Sequence, residues 1–199
     1  MIKPVSFIFL VLNFSAAWGQ MTPTSFVAEG AESSGENGNG CSFVDFNLDG
    51  WDDATFSTTN GVLFYENNQQ CGFNEVDLGI TVYGESKHPI WVDIDNDGDL
   101  DFFSSNFNNP CSLWLNAAED GFTDISTSSG ILQTTLWLSN GVSWGDYNND
   151  GFLDVYITNY NVEGNVTNYL YKNNGDLTFT DVTNSCNCSN GVSNSFQSL

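Results

Sequence analysis

Asp93-Ile94-Asp95-Asn96-Asp97-Gly98-Asp99-Leu100-Asp101 is the stretch that decides how this 199-residue chain is read. Aspartate stands at every odd position, and a glycine at the sixth permits a sharp turn. The same pattern recurs as Asp45-Phe46-Asn47-Leu48-Asp49-Gly50-Trp51-Asp52-Asp53 and as Asp146-Tyr147-Asn148-Asn149-Asp150-Gly151-Phe152-Leu153-Asp154. The first aspartates are 48 and 53 residues apart, a period that suits a unit of four short strands.

The likeness extends outward from the loops. Two residues before each first aspartate stands an aromatic: Phe43, Trp91 or Trp144. After each loop comes a β-rich run, and then a pair of bulky residues (Phe64-Tyr65, Leu113-Trp114, Leu170-Tyr171). The first of each pair lies nine positions before a phenylalanine: Phe73, Phe122 and Phe179. Each unit therefore reads as a strand into the loop, a strand out of it, and a hairpin. In the third unit these strands fall at 141–144, 153–158, 169–172 and 178–183, with Asn174-Gly175 in the last turn. No sustained helical period is present. The expected fold is all-β: tandem four-stranded antiparallel units over about 41–88, 89–140 and 141–185.

The loop chemistry points to a hard cation. Ca²⁺ takes roughly six to eight oxygens, and short loops with acids at alternate positions deliver them. Positions 1, 3 and 5 supply Asp45, Asn47 and Asp49; Asp93, Asp95 and Asp97; and Asp146, Asn148 and Asp150. By analogy with other calcium loops, position 7 offers its backbone carbonyl, from Trp51, Asp99 or Phe152. Position 9 closes each set with Asp53, Asp101 or Asp154. An EF-hand needs glutamate at position 12, where this chain has Phe56, Ser104 and Ile157. One acidic Asp-Gly turn is an ordinary surface feature. Three in one register repel themselves unless a cation sits among them. The expectation is three Ca²⁺ sites, the most acidic middle loop binding tightest.

Charge excludes several other functions. Three lysines and no arginine face 25 acidic residues, for a formal charge of −22. Nucleic acids and anionic lipid surfaces need clustered basic residues, so neither is an expected partner. Met1–Gly19 has Lys3, an apolar run and small residues before Gln20, the layout of a secretory signal peptide. That run falls short of the roughly 20 residues of a membrane-spanning helix. Residues 20–40 read as a flexible lead-in, in which Ser25-Phe26-Val27 could add a strand. In an exported chain the five cysteines favour disulfides over zinc, since their spacings fit no zinc pattern and His88 is the only histidine. Cys71, in the last turn of the first unit, is expected to be the unpaired one.

These residues resemble the FG-GAP/VCBS repeat family, also represented in integrin α-subunit propellers. Val142 to Tyr156 and Tyr171-Lys172-Asn173-Asn174-Gly175 carry the likeness most clearly, and it covers about Ser42 to Val182. The resemblance implies β-propeller blades with an ion between the first two strands of each, and a role in extracellular adhesion or beside carbohydrate-active modules. Three blades do not close a propeller, which takes roughly four to eight. Asn190-Gly191-Val192-Ser193 repeats Asn140-Gly141-Val142-Ser143, so 186–199 reads as the start of a fourth unit, and the expectation is either the N-terminal part of a longer propeller with further blades or domains, or a truncated gene product.

The leading expectation is a secreted or cell-surface, non-enzymatic calcium-binding module for adhesion or for a protein or glycan ligand. The alternative is the propeller portion of a polysaccharide lyase or hydrolase. Its weakness is that nearly all clustered acids are committed as ligands and no nucleophile with base and orienter assembles around His88. Trp51, Trp114 and Trp137 could stack on sugars, although most aromatics here alternate with polar residues and suit blade cores. Asn165-Val166-Thr167 and Asn187-Cys188-Ser189 match glycosylation sequons.

Overall fold

The computed structural model describes residues 40–131, 138–160 and 167–189. The signal segment, the lead-in, Trp137, Asn165 and the Asn190–Ser193 repeat lie outside the described residues. Among the described residues twelve strands form three antiparallel units of four. The first holds β1 (Cys41–Val44), β2 (Asp53–Thr58), β3 (Gly61–Asn67) and β4 (Phe73–Val76), hydrogen-bonded in chain order. The second holds β5 (Glu85–Val92), β6 (Asp101–Phe107), β7 (Ser112–Asn116) and β8 (Phe122–Asp124). The third holds β9 (Leu138–Gly145), β10 (Asp154–Tyr160), β11 (Tyr169–Asn173) and β12 (Phe179–Asp181). A single residue pair, Phe107 with Leu138, links the ends of β6 and β9 and so joins the second and third units into one hydrogen-bonded sheet. Among the described residues the sheets are open, with no closed barrel, and the helical content is one 3₁₀ turn at Ala118–Asp120.

The acidic loops join the first strand of each unit to the second, as their spacing predicts. The two repeated aromatic positions meet: Phe43 with Phe73, Trp91 with Phe122 and Trp144 with Phe179 pack edge-to-face at 6.2, 5.8 and 6.0 Å between ring centroids. Strands one and four of a unit are thus tied by side chains across two intervening strands.

The core lies between units rather than within them. Phe46, Phe64, Val82 and Phe102 fill the first junction, with Trp91 stacked on Phe46 at 4.8 Å. Val92, Ile94, Phe103, Leu113, Val155, Ile157 and Tyr171 fill the second. Successive strand side chains point to opposite faces. Phe102 and Phe103 therefore serve different junctions, and both are 0% exposed. This explains why β6 is buried from Asp101 to Asn106 without the half-polar alternation of a one-faced strand.

Buried polar groups on β6 are bonded to one another. Ser86 Oγ lies 3.0 Å from Ser57 Oγ and 2.8 Å from Ser104 Oγ, and Ser104 donates to Asn106 Oδ1 at 2.8 Å. Asn106 Nδ2 in turn donates to the Pro110 carbonyl and Ser112 Oγ. The chain runs from the first unit into the second, so satisfying these hydroxyls also fixes how the two sheets meet.

Cys71 is exposed in the β3–β4 turn, on the same end as the acidic loops. Cys41 is exposed at the start of β1 and Cys111 is buried just before β7, both at the far end.

Phe103→Ala should destabilise the protein by about 3–5 kcal/mol, because it opens a cavity in the second junction. Tyr83→Ala, at a residue 70% exposed, should stay within about 0.5 kcal/mol. Denaturant unfolding of both variants checks this; equal effects would contradict a core placed between units.

Candidate metal centre

One loop geometry is built three times. In the first loop the Asp49 and Gly50 amides donate to Asp45 Oδ1 and Oδ2 at 2.9 and 2.7 Å, and Asp49 N also donates to Asn47 Oδ1. The Trp51 amide donates to Asp49 Oδ1 at 2.9 Å. Asp93, Asp95 and Asp97 accept the same bonds in the second loop, as do Asp146, Asn148 and Asp150 in the third. Position 4 is left-handed each time, with φ of 60°, 63° and 59° at Leu48, Asn96 and Asn149, and Gly50, Gly98 and Gly151 follow at 92°, 96° and 93°. Asparagine tolerates that conformation, whereas leucine is held there against its preference. These bonds draw the loop into a curl with the oxygens of positions 1, 3 and 5 on its inner side.

Position 9 anchors the curl. Asp53, Asp101 and Asp154 are 0%, 0% and 1% exposed. One carboxylate oxygen of each accepts the position-2 amide: Phe46 at 3.2 Å, Ile94 at 2.9 Å and Tyr147 at 3.1 Å. The other accepts an amide at the end of the unit's third strand: Asn67 at 2.9 Å, Asn116 at 2.8 Å and Asn173 at 2.8 Å. Each of these asparagines also donates its side-chain amide to the position-8 carbonyl, of Asp52, Leu100 or Leu153. Its own Oδ1 accepts the amide two residues on. The sequence reading missed this asparagine as a site residue. Its signal was present, because Asn67, Asn116 and Asn173 each stand six positions before the repeated phenylalanine.

The middle loop brings its carboxylates closest. One oxygen each from Asp93, Asp95 and Asp101 lie within 4.8 Å of one another. Oxygens around a Ca²⁺ at about 2.3–2.6 Å are at most about 5 Å apart, so this donor set fits such an ion. Burial, followed by the Asp97 carboxylate, pushes Asp99 up to about 6. Burial pushes Asp101 up to about 7, even though the Ile94 and Asn116 amides pull it down. Asp95 is raised by burial and then by Asp97. Asp53 and Asp154 are raised mainly by burial. In the third loop Asp150 goes the other way: burial opposes the change, but the Phe152 amide and the Lys172 ammonium at 3.1 Å hold it below the usual carboxylate range. The middle loop holds the most negative charge with no lysine on it.

Residues 93–157, from the second loop through the third, match the FG-GAP-like repeat. The chain is also similar to cartilage acidic protein 1 of Xenopus tropicalis, 31% identical over 107 residues. The alignment covers 53% of this chain and 16% of that protein, so this chain spans a small part of the relative it matches.

The other candidate residues scatter. His88 Nδ1 lies 3.1 Å from Ser105 Oγ, but Ser105 is fully buried, and burial and then Lys87 lower the histidine's pKa. The pair is a packed contact between β5 and β6. Of the tryptophans considered for sugar stacking, Trp51 is 50% exposed, whereas Trp114 packs against the first-junction core.

The raised acids set a pH dependence for the metal-free protein. Asp101 rises from an ordinary 3.8 to about 7 in the folded chain, which therefore holds a proton that the unfolded chain releases. That contribution is complete at low pH and is lost as pH climbs through about 7, with Asp99 adding the same trend through about 6. In EDTA the denaturant midpoint should fall between about pH 4 and about pH 7, and Asp101→Asn should flatten the fall. A midpoint that rises over this range would contradict the crowding of these carboxylates.

Proposed function

We propose that this chain is a secreted or cell-surface binding module whose three loops each hold one Ca²⁺, the ions serving as structural parts. The observation that carries the reading is the convergence of Asp93, Asp95 and Asp101 oxygens in a loop with no basic partner among the described residues. The side chains of Asp93, Asp95, Asp97 and Asp101 with the Asp99 carbonyl would hold the ion of the middle loop. Asp45, Asn47, Asp49, Trp51 and Asp53 would do so in the first, and Asp146, Asn148, Asp150, Phe152 and Asp154 in the third. Bound calcium would neutralise each loop and add its binding free energy to folding.

Backbone amides already hold each curl, so the ligand oxygens are arranged before an ion arrives. The FG-GAP-like match and the likeness to a protein named for cartilage and acidity support an extracellular repeat module in adhesion or in protein or glycan recognition. The acids are engaged in loop architecture and the His88–Ser105 contact is half-buried between two strands, which favours binding over hydrolysis or lysis of polysaccharides.

Thermal unfolding in EDTA and in millimolar Ca²⁺ tests the proposal. Ligand at 100 times its Kd adds about 2.7 kcal/mol, or about 5–10 °C per site for a domain of this size. The rise should shrink in Asp93→Ala/Asp97→Ala. A chain with intact β-structure by circular dichroism and no calcium-dependent shift would sink the reading.

A further inference from the structure

The two junctions between units share one design but are filled differently. In the third unit the position-7 residue Phe152 lies over Gly175 of the same unit, where an added Cβ would fall 2.7 Å from the ring, and at the second junction Leu115 packs against the core. Two hydrogen bonds cross it: Asn173 Nδ2 to the Ile94 carbonyl at 2.8 Å, and Asn96 Nδ2 to the Gly151 carbonyl at 2.9 Å. At the first junction the counterpart of Phe152 is Asp99, that of Leu115 is Glu66 and that of Asn96 is Leu48. Leucine has no amide to donate. Asn116, the counterpart of Asn173, directs its amide to Leu100 of its own unit.

The outcome is a cleft of about 440 Å³ on the loop-bearing end, within the size range of ligand pockets. Phe46, Leu48, Leu78 and Phe122 form apolar walls around Glu66 and Asp99. Asp99 Oδ1 is buried without a hydrogen-bond partner, a costly state for a carboxylate oxygen. Both lysines among the described residues are engaged elsewhere, Lys87 with Glu85 and Lys172 with Asp150. Apolar walls with carboxylates and no cation complement a long methylene stem that ends in positive charge.

We propose that this cleft docks a lysine or arginine side chain presented by a basic partner protein. A net charge of −22 would draw such a partner in. The proposal rests on the reading of the chain as a binding module but not on calcium filling the loops, since the Asp99 carboxylate is outside the proposed ligand set.

NMR of the ¹⁵N-labelled full chain in millimolar Ca²⁺ and physiological salt tests it. The probes are N-acetyl-lysine methylamide, its arginine analogue and the uncharged N-acetyl-norleucine methylamide. The cationic probes should give saturable shifts confined to Asn47, Leu48, Asp99 and Ala118, and norleucine should give none. Glu66→Leu/Asp99→Phe, which copies the second junction, should abolish them. Glu66→Gln, the milder change, should weaken binding about tenfold. Shifts spread over the acidic surface, an equal response to norleucine, or unchanged binding in the filled variant would overturn the proposal. A calcium-dependent melting shift without cleft binding overturns the cleft alone. Cleft binding without a melting shift upholds the cleft and overturns the metal reading.

Discussion

Burying a carboxylate costs several kcal/mol unless donors or a cation meet its oxygens, and this fold does so at Asp53, Asp101 and Asp154. Each takes one amide from the acidic loop and one from the end of the third strand. The aspartate therefore fastens the β-hairpin to the loop that opens the unit. Everything else in a unit is arranged around that fastening. The asparagine that supplies the second amide closes the position-8 carbonyl, and in the third unit it reaches Ile94 in the unit before. One polar contact thus organises the turn, the sheet and the seam.

Sequence spacing was enough to show the three units, their strand order and the inward register of positions 1, 3 and 5, because these follow from a repeated local pattern. The aromatic pairs could be counted in the sequence, though not that Trp91 meets Phe122 across two strands. What stayed hidden depends on neighbouring units. Asp101-Phe102-Phe103 looks like any strand start, and only packing on both sides sends Phe102 to one junction and Phe103 to the other. Asn67, Asn116 and Asn173 were in register but went unassigned, since their bonds reach back 14, 15 and 19 positions to the aspartates. The strain at Leu48 was equally invisible, because it shows only beside Asn96 and Asn149 in the same conformation.

Repetition also makes differences between units informative. The third loop carries Lys172 against Asp150, so part of its charge is already answered. The middle loop has more carboxylates and no such lysine, which ranks it first for a divalent ion. At position 7, Phe152 packs over Gly175 of its own unit, while Asp99 lines an open cleft at the first seam. The same frame thus carries an arrangement suited to structural ions at every unit and a specialised cleft at one seam.

The most direct test of the account is calorimetric titration of the chelator-stripped chain with Ca²⁺. The account predicts three saturable sites per chain, with the tightest lost in Asp93→Ala/Asp97→Ala. Folded protein that takes up no calcium, or takes up the same amount after that substitution, would contradict it.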